Sequence, residues 1–168
     1  MFPLVGDDVS KPIYRKNVRL KNYDYSQAGY YFITICVKDK RCMLWEDNVE
    51  APSGRPNLSN IGTIVAAGIE NITRIYENVM IDKYAIMPNH IHMIIVLRGK
   101  EDRRAMHAPT ISRIINQFKG FVTKQIGYSI WQKLFYDHVI RNEQEYQNIC
   151  PYIETNPLKW MEDCYYSK

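Results

Sequence analysis

No apolar run in the sequence approaches the roughly 18–20 residues needed to span a bilayer, so a soluble chain is expected. The opening, MFPLVGDDVSKP, lacks the basic-then-apolar order of a secretory leader, which makes the cytoplasm the expected location. Cysteine is scarce. Cys36, Cys42, Cys150 and Cys164 form no CxxC pair, which argues against structural zinc and reads as free thiols in a reducing compartment. Internal repeats and low-complexity tracts are absent. One sign of charge is missing locally: in KPIYRKNVRLK, residues 11–21, every charged side chain is basic.

What is present fits one compact domain: 168 residues, 46% hydrophobic and 24% charged. The expected organisation is a single domain over 1–168, with a basic arm at 1–22, a core at 23–160 and a tail at 161–168. Lys plus Arg number 22 against 18 acidic residues, and the net charge of +4 permits nucleic-acid binding without requiring it. The arm says more. Arg15, Lys16, Arg19 and Lys21 lead into Tyr23, Tyr25, Tyr30 and Tyr31. Cations neutralise phosphates and aromatic faces stack bases, the combination that single-strand binders use. The plainer alternative is a solvated arm ahead of a strand whose tyrosines pack.

Hydrophobic periodicity gives the order of elements. YYFITICV, residues 30–37, is β-branched and aromatic enough for a buried strand. Ile61, Ile64, Val65, Gly68, Ile72, Ile75 and Tyr76 recur at helical spacing behind a Ser59 cap. Two strands, about 79–86 and 90–97, should form a hairpin across Met87-Pro88-Asn89. TISRIINQFKGFVTKQI is amphipathic, with Ile111, Ile114, Ile115, Phe118, Phe121, Val122 and Ile126 on one side and Arg113, Asn116, Lys119, Thr123 and Lys124 on the other. WQKLFYDHVIR reads as a strand broken by its polar residues, and Asn142 with Glu145 as a capping-box-like start to a last helix that stops before Pro157. Antiparallel strands with helices on one face make an α+β sandwich, and this order is that of the ferredoxin-like split βαβ arrangement, with the first and third strands central.

The third strand carries the chemistry. In YAIMPNHIHMIIVL, residues 84–97, His90 and His92 point to one face and Ile91 and Met93 to the other. Neutral imidazole is a common metal ligand, and two on adjacent same-face positions can converge on one divalent ion; a hydrogen-bonded pair at a strand end is the alternative. Tyr152 and Asn156, four apart in PYIETNP, share a helix face. Asn156 can offer a carbonyl oxygen to the ion while the Tyr152 phenol stands beside it as a nucleophile.

Together, RLKNYDYSQAGYYFITICVKDKRCMLW, YAIMPNHIHMIIVL, SRIINQFKGFVTKQI, IWQKLFYDHVIRNEQEY and YIETNPLKW resemble the single-tyrosine HUH transposases, over roughly Tyr14 to Trp160. The Tyr-x-x-x-Asn-Pro ending is similar to the branch associated with repetitive extragenic palindromes (REP). The resemblance implies that His90 and His92 bind Mg²⁺ or Mn²⁺, that Asn156 completes the site, and that Tyr152 attacks a phosphodiester of single-stranded or hairpin DNA. That attack would leave a 5′-phosphotyrosine and a free 3′-OH. DNA contacts are expected from Arg15, Lys16, Arg19 and Lys21, and from Arg113 and Lys119. Family members occur as monomers and dimers, and a monomer is expected for this branch. Two other functions stay open: a DNA-hairpin-binding protein without transposition, and a metal-dependent nuclease that uses water.

Pro151, directly before the expected nucleophile, removes a helical hydrogen bond and crowds the preceding turn. A kink or a restart of the helix is therefore expected, with a hinge at Tyr152 as the hypothesis. Tyr136 and Tyr146 are rival nucleophiles by residue type, while His107 and His138 read as a loop residue and a strand-surface residue.

Overall fold

The computed structural model describes residues 23–46, 57–99 and 109–166. Strand β1 (Gly29–Cys36) is followed by helix α1 (Asn60–Ile75), strands β2 (Val79–Ile86) and β3 (His90–Leu97), helix α2 (Ile111–Ile126), strand β4 (Tyr136–Ile140) and helix α3 (Glu143–Thr155). A 3₁₀ segment, Asn156–Glu162, extends α3. The sheet order is β2-β3-β1-β4 with antiparallel neighbours, so β1 and β3 are central, as the ferredoxin-like order requires.

Alternation along β3 divides the molecule into two layers. Ile91, Met93, Ile95 and Leu97 face α1 and α2, in a core that also takes Tyr31, Ile33 and Ile35 of β1. His90, His92, Ile94 and Val96 point the other way, where Phe32 of β1 and Ile149, Cys150 and Ile153 of α3 cover them. Register is therefore tightly specified. A one-residue slip would push both imidazoles into the apolar layer and forfeit about 1.5–3 kcal/mol for each large side chain it exposed.

The helices begin where the sequence places caps. Ser59 Oγ accepts from Gly62 N–H at 3.0 Å, Thr110 Oγ1 from Arg113 N–H at 3.3 Å, and Asn142 Oδ1 from Glu145 N–H at 2.9 Å. Helix α2 ends at Gly127, whose φ of 91° is the left-handed conformation glycine adopts without strain. On β2 a bulge at Asp82 re-aims its carboxylate, and Tyr146 of α3 donates to Oδ2 at 2.7 Å. Lys83 pairs with Glu154 at 2.6 Å, so two contacts tie α3 to the β2 edge.

Two expectations require correction. Strand β4 spans only Tyr136–Ile140, because the carbonyls of Gln132, Lys133 and Leu134 turn toward the Lys119 ammonium, at 2.8, 3.3 and 3.3 Å, instead of joining a ladder. Helix α3 runs without interruption from Glu143 to Thr155, with Pro151 inside it, so the expected restart is absent. Tertiary docking on both sides of Pro151, Tyr146 to Asp82 and Glu154 to Lys83, holds the helix across the missing bond.

Candidate active site

The β3 register puts His92 opposite Thr34 and His90 opposite Cys36 of β1. His92 Nδ1 lies 2.8 Å from Thr34 Oγ1, and its ring stacks on Phe32 at 5.4 Å. His90 Nδ1 lies 2.8 Å from Asn89 Oδ1, the last residue of the tight connection. Each Nδ1 is thereby occupied, and the two Nε2 atoms meet at 3.0 Å. Both rings are fully buried. Burial holds His92 down to about 3, and it holds His90 well below the usual imidazole range, helped by His92 and Lys40. The pair is neutral, the form in which imidazole ligates metals.

Helix α3 presents its Tyr152 hydroxyl to the same point, 3.3 Å from His92 Nε2. The phenol ring packs edge-on against Phe32 at 6.3 Å and remains 40% exposed, so one side is open to an incoming substrate. Burial raises the phenol pKa well above its ordinary value, and Asp163 and Cys164 push it further; the Asn156 side chain opposes them. Asn156 itself is buried, and its Nδ2 has no partner among the described residues.

The C-terminal turn closes the site. Asp163 Oδ2 stands 3.8 Å from His90 Nε2, its side chain wholly buried. This oxygen has no hydrogen-bond partner among the described residues. The Tyr165 ring lies on His90 at 4.5 Å between centroids, and Trp160 stands behind at 6.1 Å. The ligand atoms of His90, His92 and Asp163 all lie within 4.8 Å of one another.

Two imidazole nitrogens at 3.0 Å and an unpartnered carboxylate oxygen are what a divalent cation would satisfy. The group of His90, His92 and Asp163 is one that could hold a divalent metal ion.

The structure brings His90, His92 and Tyr152 together, with Asn156 one turn beyond the tyrosine. Arg113 and Lys119 lie on α2, which covers the opposite sheet face, and the Lys119 ammonium is occupied by the three carbonyls noted above. Arg15, Lys16, Arg19, Lys21 and His107 lie outside the described residues. His138 pairs with Glu145 at 3.3 Å, and Tyr146 is held by Asp82, away from the imidazoles. Sequence reasoning missed Asp163, Tyr165, Thr34 and Asn89. Asn89 had a signal, since it sits between Pro88 and His90; Asp163 had none, because its contact spans the whole β3–C-terminus separation.

No family model matches the chain. An uncharacterised Haemophilus influenzae protein is 36% identical over 172 residues, covering 91% of this chain and 93% of that protein. A second Haemophilus influenzae protein, named for REP-associated tyrosine transposases, is 25% identical over 83% of this chain and 77% of its own length. The REP-associated tyrosine transposase of Escherichia coli K12 is 31% identical over 80 residues, 47% of this chain and 44% of that one. Among solved structures, a REP-associated tyrosine transposase bound to a REP hairpin superposes with a TM-score of 0.64 at 24% identity. That match covers 87% of this chain and 76% of the other, and it shows a shared fold.

Proposed function

We infer the function from membership: this chain belongs to the REP-associated tyrosine transposase family. It cuts and rejoins single-stranded DNA at hairpins, with Tyr152 as nucleophile and His90, His92, Asp163 and Asn156 around a Mg²⁺ or Mn²⁺ ion. The observation that carries this reading is the 3.3 Å approach of the Tyr152 hydroxyl to His92 Nε2, itself 3.0 Å from His90 Nε2. Nucleophile and ligand pair are close enough for one phosphodiester to touch both. The hairpin substrate is supported by the structural neighbour, which was solved with a REP hairpin.

When bound, the cation supplies Lewis-acid polarisation of the phosphate and favours the phenolate, offsetting the raised pKa of a buried phenol. The chain's own residues do the rest. His90 and His92 present lone pairs from a rigid central strand, and the α3 contacts to Asp82 and Lys83 fix where Tyr152 stands. As the phenol oxygen bonds to phosphorus it gives up its proton, and the P–O3′ bond breaks. The leaving oxygen takes a proton to become a 3′-OH, and the 5′ side stays as a phosphotyrosine ester. Because the ester keeps the energy of the broken linkage, the reverse attack by a 3′-OH reseals DNA without ATP.

The test is to incubate labelled hairpin DNA carrying single-stranded flanks with the protein and Mn²⁺, then denature. A protein–DNA adduct should form with the wild type and disappear with Tyr152→Phe. Cleavage that survives Tyr152→Phe would indicate activated water, and tight binding with no cleavage would indicate a hairpin-binding protein.

A further inference from the structure

Asn89 is buried directly beside the histidine pair and uses both ends of its amide. Nδ2 donates to the backbone carbonyls of Tyr165 at 2.8 Å and Lys40 at 3.3 Å. Two carbonyls are acceptors only, so the NH₂ group must face them and Oδ1 must face His90. The Lys40 carbonyl is aimed by an unusual turn, since Asp39 and Lys40 have φ of 57° and 52°, left-handed values that non-glycine residues adopt rarely. Amide orientation is thus set from outside the site, by the 38–40 turn and the C-terminal segment.

Oδ1 also accepts only, and it lies 2.8 Å from His90 Nδ1. That nitrogen must then carry the proton. A neutral imidazole has one N–H, so Nε2 is left with its lone pair, pointing at His92 Nε2 and toward Asp163 Oδ2. Free histidine favours the other tautomer, in which Nε2 holds the proton and cannot ligate. We propose that Asn89 is a positioning residue that locks His90 in its Nδ1–H tautomer and so keeps Nε2 available as a metal ligand, with the Tyr165 and Lys40 carbonyls holding the amide in the working orientation. The affinity half of this inference rests on the metal site proposed above; the tautomer half does not.

The experiment is ¹⁵N-imidazole NMR on the full, metal-free chain, paired with Mn²⁺ titration by calorimetry. His90 should show protonated Nδ1 and unprotonated Nε2 in the wild type. In Asn89→Leu the tautomer should shift toward Nε2–H and Mn²⁺ affinity should fall about 10- to 100-fold, the usual effect of removing a ligand's hydrogen-bond partner. Asn89→Asp keeps the acceptor facing His90 but sets a second oxygen against the Tyr165 and Lys40 carbonyls, so it should retain the Nδ1–H tautomer while losing fold stability. Should the leucine variant fail to fold, the wild-type and aspartate spectra decide by themselves. A wild-type His90 with its proton on Nε2, or a leucine variant with an unchanged tautomer, overturns the proposal. If His90 is Nδ1–H but His92→Ala binds Mn²⁺ as well as the wild type, the metal site is wrong and only the hydrogen-bond assignment stands.

Discussion

Asp163 Oδ2 is buried 3.8 Å from His90 Nε2 with no hydrogen-bond partner among the described residues, a costly arrangement unless a cation shares it. Replacing Asp163 by Asn keeps an acceptor for the Tyr165 amide, which donates to Oδ1 at 2.7 Å, and removes the buried negative charge. Metal-free Asp163→Asn should therefore be at least as stable as the wild type, by about 0–2 kcal/mol in denaturant unfolding. Its response to metal should be the opposite. At saturating Mn²⁺ the wild type should gain about 2–3 kcal/mol, as a ligand at 100 times its Kd confers, and the variant markedly less. A wild type whose melting temperature ignores Mn²⁺ would remove the metal from the account. His90, His92, Tyr152 and Asn156 could be read from local spacing because each pair sits on one element, two apart on a strand or four apart on a helix. Asp163 could not, since nothing in a terminal Glu-Asp-Cys announces a contact with a strand so far away along the chain.

Helix α3 is the element that decides whether Tyr152 reaches the imidazoles, and it passes through the exposed Pro151 with no non-helical residue. Pro151→Ala should restore the missing helical bond and stabilise the protein by about 1–3 kcal/mol, with adduct formation retained. A folded Pro151→Ala protein that no longer forms adduct would indicate that Tyr152 needs a hinge there. At the start of α1, a Cβ on Gly62 would meet the Leu44 carbonyl oxygen at 2.1 Å, and that carbonyl also accepts from Ser59 N–H at 3.0 Å. Backbone cannot yield as a side chain does, so Gly62→Ala should cost about 1–3 kcal/mol despite the better helix propensity of alanine; unchanged stability would show that the 43–46 segment moves freely. The elements themselves were legible because period 2 and period 3.6 are local signals: the β2–β3 hairpin and its three-residue connection fall where the pattern places them. The shortened β4 was not, because whether residues 132–134 join a ladder depends on the distant Lys119 ammonium that takes their carbonyls.

Across the whole molecule, the two sheet faces divide the work: α1 and α2 over the larger core, α3 and the C-terminal turn over the histidines. The basic residues of the 11–21 stretch are the strongest sequence signal for a polyanionic partner. Alanine at Arg15, Lys16, Arg19 and Lys21 together should weaken single-stranded DNA binding and flatten its salt dependence, by about 0.7 in the log–log slope for each phosphate no longer neutralised. An unchanged slope would assign DNA binding to other surfaces. The central claim, a tyrosine nucleophile at the imidazole pair, has a structural rival in Tyr165, whose ring lies 4.5 Å from that of His90. Tryptic digestion of the covalent adduct separates them, since cleavage at Arg141 and Lys159 places Tyr146 and Tyr152 in peptide 142–159 and Tyr165 beyond it. Mass spectrometry should find the nucleotide on peptide 142–159, with fragmentation locating it on Tyr152; a nucleotide on Tyr165 or Tyr146 would contradict the account.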